Sequence, residues 1–160
     1  MINLNPSDKA LVPFVSVDHM MKLIHHIGLH DILKGIAGYI ENDFKRWESF
    51  DKTPRVGSHT QDGVMELMPT SDGQDYGFKY VNCHPKNTEE GLQTVVAFGL
   101  LADVASGYPV LLTEMTLLTA LRTAATSAVV AKLLAPKGAR VMAMIGNGAQ
   151  SEFQATAMQA

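Results

Sequence analysis

The chain has 160 residues, 46% hydrophobic and 18% charged, a balance that excludes disordered classes and suits one globular domain or one domain with part of a second. Its net charge of −3 and pI near 6.0 give no electrostatic footprint for nucleic acid, and no basic amphipathic helix points to a membrane surface. The single Cys83 rules out an internal disulfide and fits a reducing, cytoplasmic compartment.

Residues 1–10 are polar and predicted to fray, and they lack the charged-then-apolar pattern of a signal peptide. Leu11–Val17 carries enough apolar and β-branched residues for a short strand despite Pro13. Asp18 is a good N-cap for a helix from about His19 to Ile27, ended by Gly28. A second helix is predicted from near Asp31. Its apolar positions Ile32, Ile36, Ile40, Phe44 and Trp47 recur every three or four residues, the pattern of an amphipathic helix covering a flat surface.

From Arg55 to Asn82 the period drops to two, with turn residues 71–74 between two strands. An Asp72-Gly73 turn would place Glu66 opposite Lys79. A second hairpin is predicted from Leu92–Val104 and Tyr108–Leu112, with Pro109 at an edge or bulge. Thr113 then caps a long helix reaching Ala135, stopped by Pro136 and Gly138. Asp103, Thr113 and Lys132 interrupt the apolar runs that approach membrane-spanning length. Val141–Ile145 reads as a buried strand, Gly146-Asn147-Gly148 as a tight turn, and Gln150 onward as a helix. A strand, a Gly-x-Gly turn and a helix N-terminus together begin a dinucleotide-binding unit, in which free N–H groups face a pyrophosphate. The third glycine position holds Ser151, and the acidic residue that would hold a ribose is expected about 20 positions further on, beyond Ala160. The chain therefore reads as an α+β domain over 1–112, with a mixed, largely antiparallel sheet and helices, followed over 113–160 by a linking helix and the first strand, turn and helix of a Rossmann-type domain.

Three basic residues sit where apolar neighbours are expected. Lys79 shares a strand face with Gly77 and Val81, which either buries it beside a cavity or leaves it snorkelling. Arg122 stands on a helix among Ala, Thr and Ser, with room to bind a carboxylate or phosphate bidentately, or is an ordinary exposed charge. Arg55, between Pro54 and Val56, is less distinctive. His26 and His30 are four apart, but Gly28 interrupts the helix that would align them, so no metal site is predicted. Neither a Gly-x-Ser-x-Gly elbow nor a posed Cys and His supports a hydrolase.

The segments Arg55-Val-Gly-Ser-His, Gly77-Phe-Lys-Tyr-Val-Asn, Asp103-Val-Ala-Ser-Gly-Tyr-Pro, Ala120-Leu-Arg-Thr-Ala-Ala-Thr-Ser and Ile145-Gly-Asn-Gly-Ala-Gln follow one another as in the ornithine cyclodeaminase/mu-crystallin family, which the chain resembles from about residue 12 onward. Asn42-Asp-Phe-Lys-Arg-Trp and Gly146-Asn-Gly-Ala-Gln-Ser-Glu-Phe-Gln look most like its bacterial, ornithine-specific branch. The resemblance implies a homodimer of chains about twice this length, with NAD as cofactor, that converts L-ornithine to L-proline and ammonia. It places Arg55 and Arg122 on the substrate carboxylate, Lys79 beside the reacting carbon and Glu66 nearby. Arg122 then also borders the cofactor. Thr94 and Thr123 would touch NAD, with Gly146, Gly148, Ala149 and Gln150 at its phosphates. An aspartate base belongs to a part of the family's sequence beyond Ala160. A ketimine reductase or amino-acid dehydrogenase of the same family is the alternative reading, and a non-catalytic dimerisation or ligand-binding module is the alternative of another class.

Overall fold

The computed structural model describes residues 11–160. By contacts, these divide into two compact units: one contains residues up to Asp18 and Glu48–Thr116, the other His19–Trp47 and Leu117–Ala160. This division differs from a boundary at 112/113, because the two early helices group with the late ones. The predicted fraying of residues 1–10 lies outside the described residues.

The first unit is built on one six-stranded sheet: β1 (Phe14–Val15), β2 (Val56–His59), β3 (Val64–Ser71), β4 (Asp75–Cys83), β5 (Ala97–Asp103) and β6 (Pro109–Glu114). Strand order is β1-β6-β5-β4-β3-β2, and all neighbours run antiparallel except the β1–β6 pair. The sheet is thus mixed and largely antiparallel, as predicted. Only two residues of the predicted Leu11–Val17 strand pair, Phe14 with Leu112 and Val15 with Thr113.

The first hairpin forms, but its register differs from the expected one. Ser71 pairs with Tyr76, Glu66 with Val81 and Met68 with Lys79. Asp72 N–H donates to Asp75 O at 3.2 Å, and Asp72 Oδ1 accepts the N–H groups of Gln74 and Asp75 at 3.0 and 2.9 Å. Gly73-Gln74 are therefore the loop pair, with Gly73 at φ +86°. Moving a turn by one residue slides the partner by two, which preserves side-chain parity. Glu66 and Lys79 remain on one face as diagonal neighbours rather than a direct pair.

In the second hairpin, β5 and β6 shift register between Leu101 and Ala102, and Ala102 pairs with Pro109. The bulge accommodates the residue that has no N–H to give. Thr113 does not cap a helix. It lies inside β6, where it pairs with Gly99, and the long helix α3 spans Thr116–Leu134. Thr116, the first residue of that helix, turns its hydroxyl to the sheet, where Oγ1 accepts the N–H of Ala97, at the start of β5, at 2.9 Å.

The second unit is helical. Helix α1 (Val17–Ile27) starts two residues before the predicted His19, which puts Asp18 inside its first turn. Gly28, at φ +95°, breaks it from α2 (Leu29–Lys45). Leu33 of α2, Leu121, Ala124 and Ala125 of α3, and Ala157 of α4 (Gln150–Gln159) form the core, with Ile32, Ile36 and Ile40 packed around them. The amphipathic face of α2, expected to cover a flat surface, packs on residues of α3 and α4. Trp47 leaves the helix and sits in a short 3-10 turn, its ring 5.8 Å from that of Phe44. By length and composition alone α3, at 19 residues, is apolar enough to cross a bilayer, which the interrupting residues noted in the sequence do not prevent. Four of its residues, Leu121, Ala124, Ala125 and Val129, are buried in the protein.

Val141–Ile145 forms no strand, and Val141 and Ile145 are 92% and 102% exposed. A strand needs at least one neighbour to take up its backbone hydrogen bonds, and none of the described residues pairs with this run.

Candidate functional site

Alternation along the sheet of the first unit sorts its residues onto two faces. On one face the ladder aligns Gly57, Glu66, Val81 and Ala97 in one row, and Met68, Lys79, Gly99 and Thr113 in the next. Arg55 precedes β2 with the same parity, and its Nη1 donates to Glu66 Oε1 at 3.2 Å. Glu66 is the more enclosed partner, its side chain 20% exposed against 63% for Arg55, so a half-buried carboxylate anchors a guanidinium that keeps donors facing outward.

Glycines make the room. A Cβ at Gly57 would lie 3.2 Å from His59 Nε2 and 3.7 Å from Glu66 Cγ, so the His59 ring rests on Gly57 beside the acid. A Cβ at Gly99, directly opposite Lys79, would overlap the Met115 thioether. Half-buried Lys79 therefore lies among Gly77, Gly99 and Met115, with Glu66 on the adjacent strand β3 and Arg55 just before the next, β2, on the same face. His59 and Met115 escaped the reading of the sequence. Their signal was the strand glycines, each marking a place where another group approaches the backbone.

Thr94 is half-buried in the connection from β4 to β5, and its carbonyl accepts the His84 N–H at 2.9 Å.

In the second unit Arg122 projects from α3 and is exposed. A hollow of about 410 Å³ is lined by Arg122, Thr123, Thr126, Ser127, Val130 and Ala131. Thr126 and Ser127 turn their hydroxyls onto the carbonyls of Arg122 and Thr123, at 2.8 and 3.3 Å, which leaves the guanidinium surrounded by small side chains. Gly146, at φ +97°, and Gly148 precede α4, and a Cβ at either would meet nothing within 4 Å. Ala149 caps α4 with no side-chain hydrogen bond, and Ser151 Oγ donates to Gly148 O at 2.8 Å. An open, uncapped helix start of this kind fits a pyrophosphate group, because its first N–H groups lack side-chain acceptors. Among the described residues, no three His, Cys, Asp or Glu side chains gather as metal ligands. The structure thus brings Arg55, Glu66 and Lys79 onto one face of the sheet, and Arg122 and Thr123 to one hollow. Gly146, Gly148, Ala149 and Gln150 lie at one helix start.

The chain thus joins a mixed sheet bearing a cluster of acidic and basic side chains on one face with a Gly-x-Gly helix start. The family model of the ornithine cyclodeaminase/mu-crystallin family matches residues 17–160, and the chain belongs to that family. An ornithine cyclodeaminase of Brucella abortus is 74% identical over 150 residues, covering 94% of this chain and 42% of its own. Among solved structures, a lysine cyclodeaminase described for its recognition of L-lysine, L-ornithine and L-2,4-diaminobutyric acid superposes with a TM-score of 0.85 at 27% identity, covering 92% of this chain and 45% of its own. An archaeal alanine dehydrogenase dimer with bound NAD superposes with a TM-score of 0.80 at 28% identity, with the same coverage of 92% and 45%. The chain spans about two fifths of the length of the curated relatives it matches.

Proposed function

We propose that this chain provides the substrate-binding sheet and the first part of the NAD site of an ornithine cyclodeaminase, which forms L-proline and ammonia from L-ornithine. The observation that carries the reading is the cluster of Arg55, Glu66 and Lys79 on one glycine-lined sheet face, in a chain so similar to a curated ornithine cyclodeaminase. NAD, when bound, supplies a reversible hydride acceptor for the substrate α-carbon. Arg55 and Arg122 hold the substrate carboxylate, and two guanidiniums on one carboxylate fix the direction in which the α-hydrogen points. Glu66 holds Arg55 in place and offers a carboxylate toward an ammonium group of the substrate. Lys79 places a positive charge beside the reacting carbon, where it favours the electron-rich forms of the substrate and exchanges a proton with its amine. Thr94, Thr123 and the N–H groups from Gly146 to Gln150 bind the cofactor, and Arg122 borders both ligands.

The opposite face of the sheet bears Phe14, Val56, Leu67, Tyr76 and Phe98, each at least 40% exposed. So much apolar surface on one sheet face favours a second copy of the chain as its cover, which makes the working enzyme a homodimer. A free, exposed Cys83 suits the reducing cytoplasm. The test is proline formation from L-ornithine with catalytic NAD in a family-length form of the protein, beside its Arg55→Ala and Lys79→Ala variants. Proline without net NADH, abolished in both variants, supports the cyclodeaminase. Net NADH with an amino acid supports a dehydrogenase of the same family. Absence of turnover and of ligand binding in the family-length form leaves the non-catalytic module.

A further inference from the structure

The regular β4–β5 ladder ends at Val81 and Ala97, yet the chain before β5 stays tied to β4 for three more residues. Asn82 N–H donates to Val96 O at 3.1 Å, and His84 N–H donates to Thr94 O at 2.9 Å. Between these two main-chain bonds a side chain replaces the ladder: Val96 N–H donates to Asn82 Oδ1 at 2.5 Å. That bond fixes the amide's orientation, because an N–H requires the oxygen as its partner. Asn82 Nδ2 then faces His84 Nδ1 at 3.2 Å as donor, so the ring accepts at Nδ1 and carries its hydrogen on Nε2. Gly63 leaves the space for this ring, since a Cβ there would lie 2.8 Å from His84 Cγ. The Asn82 side chain thus ties the end of β4 to segment 94–96 and to the His84 ring.

We infer that Asn82 is a positioning residue for the nucleotide, acting through the placement of Thr94 rather than by touching a ligand. The inference rests on the proposal that Thr94 contacts NAD. The flanking main-chain bonds keep segment 94–96 at ladder distance, and the Asn82 amide supplies the one acceptor missing between them, which secures the segment that carries Thr94.

The experiment uses the family-length protein, with NAD affinity measured by calorimetry, KM for L-ornithine measured separately, and amide hydrogen exchange at Val96 followed by NMR or mass spectrometry. Thr94→Ala is the reference. Asn82→Ala removes both amide bonds and is expected to weaken NAD binding about tenfold, the loss of one or two hydrogen bonds, with accelerated exchange at Val96. The KM for ornithine stays within about twofold, a split that general destabilisation would not produce. Asn82→Asp keeps the acceptor for Val96 N–H and is expected to restore NAD affinity to within about threefold, which also covers the case in which the alanine variant fails to fold. Wild-type NAD affinity in Asn82→Ala while Thr94→Ala is weakened overturns the inference and leaves the Thr94 assignment standing. Equal losses for NAD and ornithine overturn it too. Unchanged NAD affinity in Thr94→Ala removes the assignment and this inference together.

Discussion

Replacing Gly99 by alanine asks the site face for room it does not have. The new Cβ would overlap Met115 Sδ and lie 3.2 Å from Met115 Cγ and 3.1 Å from Phe78 O. The carbonyl belongs to the ladder and cannot retreat, so the methionine must give way. Met has three rotatable bonds and a soft sulfur, which makes its retreat cheaper than that of a branched neighbour. Overpacking costs about 1–3 kcal/mol, and a yielding methionine beside an unyielding carbonyl places Gly99→Ala near the middle, at about 2 kcal/mol. For a unit of this size each kilocalorie lowers Tm by roughly 4–8 °C. Urea unfolding followed by circular dichroism would be run on wild type, Gly99→Ala, Met115→Ala and the double variant. Because the clash needs both side chains, the double variant should be less destabilised than the sum of the singles by about 1 kcal/mol or more. Gly99→Ala within about 0.5 kcal/mol of wild type, or additive effects within that margin, would show that Met115 does not occupy the Gly99 hollow.

Glu66→Gln keeps the shape but weakens the charge-assisted bond to Arg55, and in a family-length form it should raise the KM for ornithine by about tenfold, the value of one such bond, while NAD affinity is unchanged. The 160-residue chain by itself should bind NAD too weakly for calorimetry at micromolar concentration and form no measurable proline, because the phosphate contacts proposed for Gly146–Gln150 would be a small part of a dinucleotide site; tight binding would mean the proposed site is misplaced. Lys132 Nζ donates to Glu41 Oε1 at 2.7 Å, and this bond and the lysine's charge hold the Glu41 carboxyl below its usual range. A lowered folded pKa stabilises above the ordinary glutamate value and loses that contribution as pH falls through the lowered one, so the gap between the melting curves of wild type and Lys132→Ala should be full near about pH 6 and shrink steadily as pH falls below the ordinary glutamate range. Sedimentation should show a dimer that Phe98→Lys disrupts, and a wild-type monomer at micromolar concentration would count against a second copy on that sheet face.

Much of the sheet was legible because its strands alternate and its turns carry Gly and Asp. The first hairpin slipped by one turn residue since Asp72-Gly73 and Gly73-Gln74 are both acceptable loops. Only Asp72 Oδ1, taking the N–H groups of Gln74 and Asp75, decides between them. The cluster of Arg55, Glu66 and Lys79 survived the slip because parity, not register, puts residues on a face. Thr113 misled for a related reason: a hydroxyl before an apolar run is a cap signal, but pairing with Gly99 on one side and Val15 on the other outweighs it. The run Val141–Ile145 has strand composition without strand partners, and composition cannot provide them. The Asn82 amide was invisible because nothing local marks a side chain that will stand in for a main-chain carbonyl.

The pairing of Phe14–Val15 with Leu112–Thr113 joins residues almost a hundred positions apart, across a helical pair that belongs to the other unit. At ribosomal speeds of about 5–20 residues per second, the first strand waits roughly 5–20 s for its partner to emerge. Neither unit is a continuous stretch of chain, so neither can finish before Thr116 has been made. The β1–β6 edge should therefore close late, after the antiparallel hairpins that need only local loops, and be the first part of the sheet to open.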